Sequence, residues 1–311
     1  MINPKIIAVV VTYQPDMDIL EKLLKSLVSQ VESVIIVDNG TEMNMALFSE
    51  QYSSQQISTL LLGRNMGVAF AQNTGIQEAM KKGATHVLLM DHDSIPSPDM
   101  VSCLIKAEQE LIQSGEKVAA VGPRYKFHDT NLSSYFVRFG LFRFKKIYCT
   151  DEGCPEYVPA DFLISSGCLI SLNALLEIGL MDESLFIDHI DTEWFLRAKS
   201  KGFSSFGICD AFMHHHLGDY LFNFWFGKKT LPIHSPLRQY YIFRNSILLY
   251  KRPYVSRKWV INDVIRLWLM FIIFSTRVSP RKEFFVMMTR GIYDGLRGKS
   301  GAFLNKSNYP R

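Results

Sequence analysis

The first part of this 311-residue chain alternates short apolar runs with segments of helical periodicity. The strand-like runs are Ile6–Thr12, Ser33–Val37, Ile57–Leu62, Thr85–Met90 and Val118–Pro123, and the helical segments between them are Met17–Val31, Val68–Lys82 and Asp99–Gln113. Parallel strands need crossover connections, and helices that make them cover both faces of the sheet. The pattern therefore predicts an α/β fold with a mixed, mostly parallel sheet flanked by helices.

The second half of the chain is less regular. Residues 124–159 are aromatic and rich in Lys and Arg, and we expect a loop region that shapes a pocket. A strand with a close backbone approach at Gly167 is predicted for Leu163–Leu172. Beyond it the sequence predicts helices at Asn173–Ile178 and Ile190–Lys201, a strand at Ser204–Cys209, and a helical, basic tail from Leu237.

Charge divides the chain into two unequal parts. Residues 228–311 contain 17 Lys and Arg but only three acidic residues, whereas residues 1–227 contain 17 Lys and Arg and 27 Asp and Glu. This division predicts a catalytic domain over 1–227 and a membrane-associating helical region over 228–311, held against an anionic surface. The basic tail would also suit nucleic acid, but no nucleic-acid motif accompanies it, so we expect no nucleic-acid partner.

The most hydrophobic helical stretch lies in this tail, at Trp259–Thr276. Asp263 and Arg266 interrupt it, and the uncharged remainder is about ten residues long, whereas a span needs about 20. The stretch also carries Trp259 and Trp268 and has basic flanks. We therefore expect an amphipathic helix at a membrane surface; a buried packing helix is the alternative.

The N-terminus and the cysteines point to the cytoplasm. The apolar run Ile6–Val11 is too short for a secretory signal and has no small-residue cleavage site after it. The five cysteines are an odd number without CxxC pairing or zinc-ligand spacing, so we expect reduced, buried thiols.

Two carboxylates follow the fourth predicted strand. Asp91 and Asp93, separated by His92, come directly after the run Val87–Met90. Open α/β sheets bind ligands at the carboxyl ends of their strands, and two hard oxygen ligands there suit a divalent cation that also holds a phosphate. Two unit charges ~5 Å apart repel by about 3 kcal/mol at an effective dielectric of 20, and a bound dication reverses that penalty. The alternative is a pair of solvated loop carboxylates.

Two further signals suit a nucleotide. Asp38 ends the second strand, where its carboxylate can accept the ring N–H of a pyrimidine; a turn Asp is the alternative. Asn65 and Gly67 open a helix that continues through Asn73 to Gly75, and its small residues allow close approach of a diphosphate or of another backbone.

An acidic cluster surrounds the start of the predicted helix at residue 190. Glu193 and Arg197, at i and i+4, are predicted to pair. Asp191 and Glu193 are too close in sequence to share one helical face. Asp191 is therefore the freer carboxylate and the candidate general base, with a simple N-cap as the alternative. Asp188 and Trp194 lie in the same segment.

Three histidines, His214 to His216, follow the last predicted strand. One imidazole could complete a metal site with Asp93, but three consecutive side chains cannot all point into one site. A partly exposed polar turn is the alternative.

The order of these signals over residues 5–218 resembles glycosyltransferase family 2, whose members have the GT-A fold, a Rossmann-like fold for nucleotide-diphosphate sugars. Thr12 and Tyr13 end a segment that is similar to the family's opening strand, and Asp38 falls where the family binds the nucleotide base. Asn65, Gly67 and Asn73 are similar to residues of its diphosphate-side helix. The resemblance therefore implies that these residues and Asp91 bind a nucleotide-sugar.

The same resemblance assigns the reaction centre. Asp91 and Asp93 are similar to the family's metal-binding DxD motif, and His215 with Gly218 resembles its late His-x-x-Gly, which implies Mg²⁺ or Mn²⁺ on Asp91, Asp93 and His215. Asp191 follows a segment that is similar to the one carrying the catalytic base. Around this base the resemblance implies a set of acceptor-side or supporting residues, which are Asp188, Glu193, Trp194 and Arg197.

The string from Ile187 to Trp194, followed by His-His-Leu-Gly-Asp, resembles bacterial rhamnosyltransferases of surface-polysaccharide (O-antigen) assembly, although many family members have Glu-Asp where this chain has Ile190-Asp191. This implies inverting transfer of L-rhamnose from dTDP-rhamnose to a lipid-linked glycan, by a peripheral protein at the cytoplasmic face of the inner membrane. Asp191 would deprotonate the acceptor hydroxyl, and the metal would neutralise the departing diphosphate. A UDP-hexose donor is the alternative.

Two other classes fit less well. In a phosphatase, Asp91 would be the nucleophile and Asp93 the acid/base, but that motif usually lies near the N-terminus and is followed by Gly-Thr, whereas here Ser94-Ile95-Pro96 follows. A membrane-surface module without turnover would not need the set Asp38, Asp91, Asp93 and Asp191.

Overall fold

The computed structural model describes residues 4–41, 56–127, 134–140, 143–150, 152–215, 220–224 and 229–303. Its strands are β1 (Ile6–Thr12), β2 (Ser33–Asp38), β3 (Ile57–Leu61), β4 (His86–Asp91), β5 (Ser94–Pro96), β6 (Val118–Phe127), β7 (Phe136–Phe139), β8 (Phe144–Ile147), β9 (Tyr157–Ala160), β10 (Cys168–Ser171), β11 (Ser204–His215), β12 (Tyr220–Phe224) and β13 (Lys229–Ile233). The helices are α1 (Met17–Leu27), α2 (Val68–Lys81), α3 (Met100–Gln113), α4 (Leu172–Ile178), α5 (Ile190–Ser200), α6 (Pro236–Tyr250), α7 (Arg257–Thr276) and α8 (Arg281–Leu296), with a 3₁₀ turn at Glu183–Leu185.

The central sheet has nine strands, in the order β3-β2-β1-β4-β10-β6-β11-β5, with β9 also paired to β11. Strands β3, β2, β1 and β4 are parallel to their neighbours, as are β6 and β11, whereas β10, β5 and β9 run antiparallel to theirs. The predicted mixed, mostly parallel sheet is confirmed.

Burial on both faces explains the continuous apolar runs. Every residue of β1 is buried. Alternate residues of β1 belong to different cores: Ile7 and Val9 pack on one face of the sheet, and Ala8 and Val10 on the other. Helix α2 packs tightly on the first face, since a Cβ atom on Gly75 would lie 2.2 Å from Cγ1 of Val9. Gly75 therefore serves helix–strand packing.

The predicted loop over residues 124–159 is wrong in part. Strand β6 extends to Phe127, β7 and β8 form a hairpin, and β9 begins at Tyr157. Lys and Arg obscure the strand pattern in the hairpin because they alternate with aromatic residues there, at Arg138, Lys145 and Lys146. The strand predicted to end at Cys209 continues to His215, and the β10 strand is confined to Cys168–Ser171.

The C-terminal helices form a small core of their own and contact the sheet domain, where Arg244 and Asn245 donate to the Leu185 carbonyl. Ile242, Phe243, Phe274, Phe284 and Met288 lie in that core. The boundary predicted between residues 227 and 228 lies outside the described residues. By length and composition alone, with a mean hydropathy of 1.5, α7 could cross a membrane, and among the described residues it is the one helix that could.

The cysteine prediction is wrong in part. Cys168 is a buried free thiol, but Cys149 and Cys209 are half-buried and bonded to each other. Cys103 and Cys154 are half-buried and are not part of a disulfide. Their sequence spacing gave no sign of this pairing, because 60 residues separate Cys149 from Cys209 and the sheet brings them together.

Candidate active site

Three neighbouring strands end at one edge of the sheet and carry the first part of the site. In the strand register, Thr12 of β1 lies opposite Asp38 of β2, and Val11 lies opposite Asp91 of β4. The Thr12 hydroxyl donates a hydrogen bond of 2.9 Å to Asp38. The parallel pairing thus gathers residues from three separate segments.

Asp38 is 3% exposed and held by its neighbours. The backbone N–H of Thr41 donates to its Oδ2 atom over 3.1 Å, and the Thr41 hydroxyl donates to Oδ1. These bonds fix the carboxylate at the strand end. Tyr13, the next residue after β1, is 46% exposed at the rim of the cleft.

Asn65 and Gly67 shape the entry to α2. Asn39 Nδ2 donates to Asn65 Oδ1 over 3.1 Å, and the Gly67 N–H donates to the same oxygen over 3.0 Å. Gly67 has φ +93°, and a Cβ atom there would lie 2.7 Å from the carbonyl oxygen of Phe186. That carbonyl accepts the Val68 N–H over 2.8 Å, so the helix start is fastened to the segment before α5.

Tyr13, Asn65, Gly67 and Asp91 line a cleft of about 480 Å³, the donor cleft, whereas Thr12 and Asp38 lie behind its wall. Its wall contains six predicted site residues and the middle residue of the DxD motif, His92. The six are Tyr13, Asn65, Gly67, Asp91, Asp93 and His215. Asn39, Phe186, His234 and Arg238 complete the polar and aromatic part of the lining. The volume and polar lining suit a ligand of nucleotide size.

A chain of hydrogen bonds joins the two aspartates to β11. His215 Nδ1 lies 3.5 Å from Asp93 Oδ1 and 2.7 Å from the Ser94 hydroxyl. The Ser166 hydroxyl donates to Ser94 over 2.8 Å and accepts the Asp91 N–H over 3.2 Å. Strand pairing of β5 with β11, which sets His215 opposite Ser94, produces this arrangement.

The structure describes His214 and His215 of this run, and of these two His215 lines the donor cleft. Neighbouring side chains on a strand point to opposite faces, and the His214 ring packs edge-on against Phe212 with centroids 4.8 Å apart. His216 and Gly218 lie outside the described residues.

The charges in the cleft favour a cation. Burial, and then the Asp93 carboxylate, raise the pKa of Asp91, while His215, His92 and Arg238 act in the opposite sense. Carboxylate oxygens and an imidazole are a suitable donor set for Mg²⁺ or Mn²⁺. Asp93 and His215 form a close pair within this set, at 3.5 Å between Oδ1 and Nδ1.

Asp191 stands in the first turn of α5, half-buried. The backbone N–H of Ser165 donates to its Oδ2 atom over 3.1 Å. Burial, followed by the nearby Asp91 charge, raises the pKa of Asp191 to about 6. A carboxylate with such a pKa is ionised at neutral pH and is a stronger base than an exposed aspartate.

A second cavity of about 380 Å³, the aromatic cavity, lies beside Asp191. Its wall includes Thr192, which follows Asp191 in the sequence, and Ser166, which follows the Asp191 partner Ser165. Most of the wall is apolar and aromatic, including Tyr125, Tyr135, Phe136, Phe144 and Phe162, and its cations are Lys146 and Arg266. Asp191 itself lines neither cavity, but it adjoins Thr192 of the aromatic cavity and lies near enough to Asp91 of the donor cleft for that charge to act on it.

Four predicted site residues line neither cavity: Asn73, Glu193 and Trp194 are buried, and Arg197 is half-buried. Asn73 is 4% exposed, and its amide bonds to both backbone atoms of Met181 and to Glu183, so it holds the segment that leads to the base. Trp194 is 1% exposed and donates to the Gly179 carbonyl over 2.8 Å.

The predicted pair of Glu193 and Arg197 is confirmed, and it too is internal. Arg197 makes two bonds of 2.8 Å to Glu193, and it also donates to the carbonyls of Ile178 and Leu180. Glu193, at 1% exposed, has no face toward either cavity. The structure therefore gives Asn73, Glu193, Trp194 and Arg197 supporting positions behind the site.

Sequence reasoning missed the contribution of α6. Arg238 lines the donor cleft and pairs with Asp188 over 3.2 Å. Asn245, fully buried, donates to the carbonyls of Leu185, Ile187 and Asp188. Polar residues at helical spacing in an otherwise apolar segment, from Arg238 to Asn245, were the available signal.

Comparison with known proteins agrees with this geometry. The profile of glycosyl transferase family 2 matches residues 7–178. The chain is 32% identical over 303 residues to dTDP-rhamnosyl transferase RfbF of Shigella flexneri, covering 96% of this chain and 98% of that protein.

Two solved structures share the fold at low identity. The S. aureus TarS 1–349 complex with UDP-GlcNAc superposes with a TM-score of 0.61 at 14% identity, over 95% of this chain and 81% of that one. GalNAc-T7 with UDP, GalNAc and Mn²⁺ gives 0.58 at 12% identity, over 96% of this chain and 59% of that one. The family profile, the relative that matches nearly the whole chain and the shared fold all agree. The chain is a glycosyltransferase with a GT-A-like fold and belongs to glycosyl transferase family 2.

Proposed function

We propose that this glycosyltransferase moves L-rhamnose from dTDP-rhamnose, with inversion, to a hydroxyl of a lipid-linked glycan in bacterial surface-polysaccharide (O-antigen) assembly. The observation that carries the proposal is the position of Asp191, next in sequence to Thr192 in the wall of the aromatic cavity and near Asp91 of the donor cleft; burial, followed by the Asp91 charge, raises the pKa of Asp191 to about 6. The relation to RfbF along nearly the whole chain supports the donor.

The donor nucleotide lies at the strand ends. Asp38, held by Thr12 and Thr41, accepts the ring N–H of the thymine base, and Tyr13 covers the nucleotide from the rim. The diphosphate lies toward Asn65, Gly67 and the acidic pair. Arg238 is the cation that α6 contributes to the same cleft.

Asp93 and His215, with Asp91, would hold Mg²⁺ or Mn²⁺. When bound, the cation supplies charge neutralisation for the departing nucleoside diphosphate. The chain's own contribution is a prearranged pair, because Ser94 fixes the His215 ring over 2.7 Å and Ser166 connects Ser94 to the Asp91 backbone. The Mn²⁺ bound in the GalNAc-T7 structure supports a divalent cation here.

The acceptor enters through the aromatic cavity. Sugar rings present C–H faces that pack on aromatic side chains, and this cavity has five such side chains in its wall. Asp191 removes the proton from the acceptor hydroxyl as that oxygen attacks the anomeric carbon from the face opposite the leaving group. One displacement of this kind inverts the anomeric configuration.

The C-terminal helices support peripheral attachment to the cytoplasmic face of the inner membrane. The outer face of α7 exposes large apolar side chains: Ile261, Val264, Ile265, Trp268, Leu269 and Ile272, continued on α8 by Phe285 and Val286. Basic residues flank this face, at Arg257, Lys258, Arg277, Arg281 and Lys282. An exposed apolar band with basic borders suits an anionic lipid surface.

The inner face of α7 argues for lying on the membrane rather than crossing it. Asp263 is 1% exposed and bonds to Arg266 and Tyr250, and Asn262 donates to the Gly140 carbonyl over 3.0 Å. Arg266 also lines the aromatic cavity. A helix fastened in this way brings the membrane surface close to the acceptor cavity.

A UDP-hexose donor is the second candidate, favoured by the UDP-sugar in the TarS complex. A screen of radiolabelled nucleotide-sugars with membrane extract as acceptor separates the two. We expect label transfer from dTDP-rhamnose, lost in Asp191→Asn. Transfer from a UDP-sugar alone would replace the donor assignment, and no transfer from any donor would overturn the proposal.

A further inference from the structure

Three of the five cysteines come together beside strand β11. Cys149 follows β8, Cys154 lies in the segment before β9, and Cys209 lies within β11. Their three sulfur atoms all lie within 4.8 Å of one another, and all three residues are half-buried.

The backbone around the cluster is well connected. Strand β9 pairs with β11 up to Tyr157 and Ile208, and the Cys209 N–H donates to the Glu156 carbonyl over 3.3 Å. Cys154 Sγ lies 3.6 Å from the Pro155 carbonyl oxygen. The cluster therefore rests on a strand pair, which limits how far the sulfur atoms can separate.

A disulfide accounts for only two of these sulfurs. Cys149 and Cys209 are bonded, and the Cys154 thiol stands beside their bond. A neighbouring thiolate attacks a disulfide readily, so such a bond is open to exchange. A cellular dithiol can reduce it: two electrons and two protons pass to the Cys149 and Cys209 sulfurs, and the dithiol becomes a disulfide. The product is a set of three thiols.

We propose that the reduced Cys149, Cys154 and Cys209 form a thiolate site for a soft divalent cation, Zn²⁺ being the first choice. Zn–S bonds are about 2.3 Å, which in a tetrahedral site separates sulfurs by roughly 3.8 Å. In the oxidised protein two of the three sulfurs are bonded to each other and the third lies within 4.8 Å of both, so reduction lets the bonded pair move apart toward that separation. Each thiol gives up its proton on binding, and the fourth position takes a water or a backbone carbonyl.

The position of the site suggests its role. Strand β8 contributes Phe144 and Lys146 to the aromatic cavity, and Cys149 follows directly after it. Strand β11 continues from Cys209 to His215 at the donor cleft. A metal on these cysteines would link β8, in the wall of the aromatic cavity, to β11, which ends at the donor cleft. It is separate from the Asp93 and His215 pair.

The test uses the full-length protein, reduced and stripped of metal, and titrated with Co²⁺. Thiolate ligands give an intense charge-transfer absorption that oxygen and imidazole ligands do not, so Asp93 and His215 do not interfere. We expect one equivalent of Co²⁺ to develop this absorption and Zn²⁺ to abolish it. Cys149→Ser, Cys154→Ser and Cys209→Ser should each weaken Co²⁺ binding at least tenfold.

Matched controls are available in Cys103 and Cys168, which lie on α3 and β10 as single free thiols. Their serine variants should retain the absorption. Cys154→Ser is the decisive variant: a disulfide needs only Cys149 and Cys209, so an effect of this variant on Co²⁺ binding and on Zn²⁺-dependent thermal stability requires the three-sulfur site. Absence of the thiolate absorption in the reduced wild-type protein, with its fold intact by circular dichroism, would overturn the proposal.

Discussion

The Nδ1 atom of His215 lies 3.5 Å from the Oδ1 atom of Asp93, although the two residues belong to opposite halves of the chain. The short strand β5 makes this possible, since it begins right after Asp93 and pairs with the end of β11. The strand that follows the DxD motif thus brings the second aspartate to the histidine.

This geometry makes Ser94 a sensitive position. Its hydroxyl lies 2.7 Å from His215 Nδ1, and groups that orient a metal-binding histidine typically affect metal affinity by 10- to 100-fold. We expect Ser94→Ala to weaken Mn²⁺ binding in the presence of dTDP by about tenfold. Electron paramagnetic resonance of free Mn²⁺ measures this. His214→Ala is the control; equal losses in both variants would remove His215 from the metal site.

Replacement of the base should separate binding from chemistry. Asp191→Asn keeps the shape of the side chain but cannot accept a proton, so we expect transfer to fall by 10² to 10⁴-fold. Binding of dTDP, followed by calorimetry, should change little. Loss of nucleotide binding together with transfer would instead make Asp191 a structural residue.

The raised pKa of Asp191 also predicts a pH dependence of stability. Because the folded-state pKa is about 6, above the usual 3.8, the ionised carboxylate is disfavoured in the folded protein. Ionisation of Asp191 therefore lowers the free energy of unfolding. This loss is absent below about pH 4 and complete above about pH 6, and a two-unit shift in pKa corresponds to roughly 3 kcal/mol at most. Urea unfolding of the metal-free proteins should therefore show Asp191→Asn gaining stability over wild type from pH 4 to 7. A constant difference would contradict this.

The Glu193–Arg197 pair should matter for stability and not for substrate contact. Removing one partner of a buried pair costs about 3–5 kcal/mol, so Glu193→Ala should strongly destabilise the protein in denaturant unfolding. Glu78→Ala, which breaks the more exposed pair with Lys81, should cost only about 0.5 kcal/mol. At a temperature where both variants are folded, dTDP affinity should equal that of wild type; a selective loss in the Glu193 variant would place Glu193 in the binding site.

Gly67 offers a test of the cleft entry. Gly67→Ala forces a Cβ atom into a backbone with φ +93° and to within 2.7 Å of the Phe186 carbonyl oxygen. Gly83→Ala has a similar φ of +75° but nothing within 4 Å, so it reports the cost of the left-handed backbone alone, about 1–2 kcal/mol. We expect the Gly67 variant to lose more stability and to bind dTDP more weakly. Identical behaviour of the two variants would disprove the close contact.

Membrane attachment can be tested on the exposed face of α7. Trp268 is 63% exposed, and its transfer to a lipid interface is worth about 1.5–3 kcal/mol, so Trp268→Glu should reduce binding to phosphatidylglycerol vesicles by tenfold or more. Leu176→Glu, at a residue 68% exposed on α4, is the control. Sedimentation with vesicles at low salt measures the effect. Wild-type protein that stays in the supernatant would rule out this mode of attachment.

The sequence alone determined the α/β class, most element bounds of the first half, and the strand-end positions of Asp38 and Asp91. These features are local: apolar periodicity reports burial, and a polar residue directly after a buried strand must lie at the sheet edge. The i, i+4 pairing of Glu193 with Arg197 was predictable for the same reason.

Only the tertiary structure decided which residues meet. Strand pairing of β5 with β11 selected His215, and the packing of α6 brought Arg238 and Asn245 to a site that the first half of the chain begins. The tertiary structure also placed Asn73, Trp194 and Arg197 behind the site, and it brought Cys149, Cys154 and Cys209 together. Contacts between distant segments depend on strand order and helix packing, which a single sequence does not encode in any local pattern.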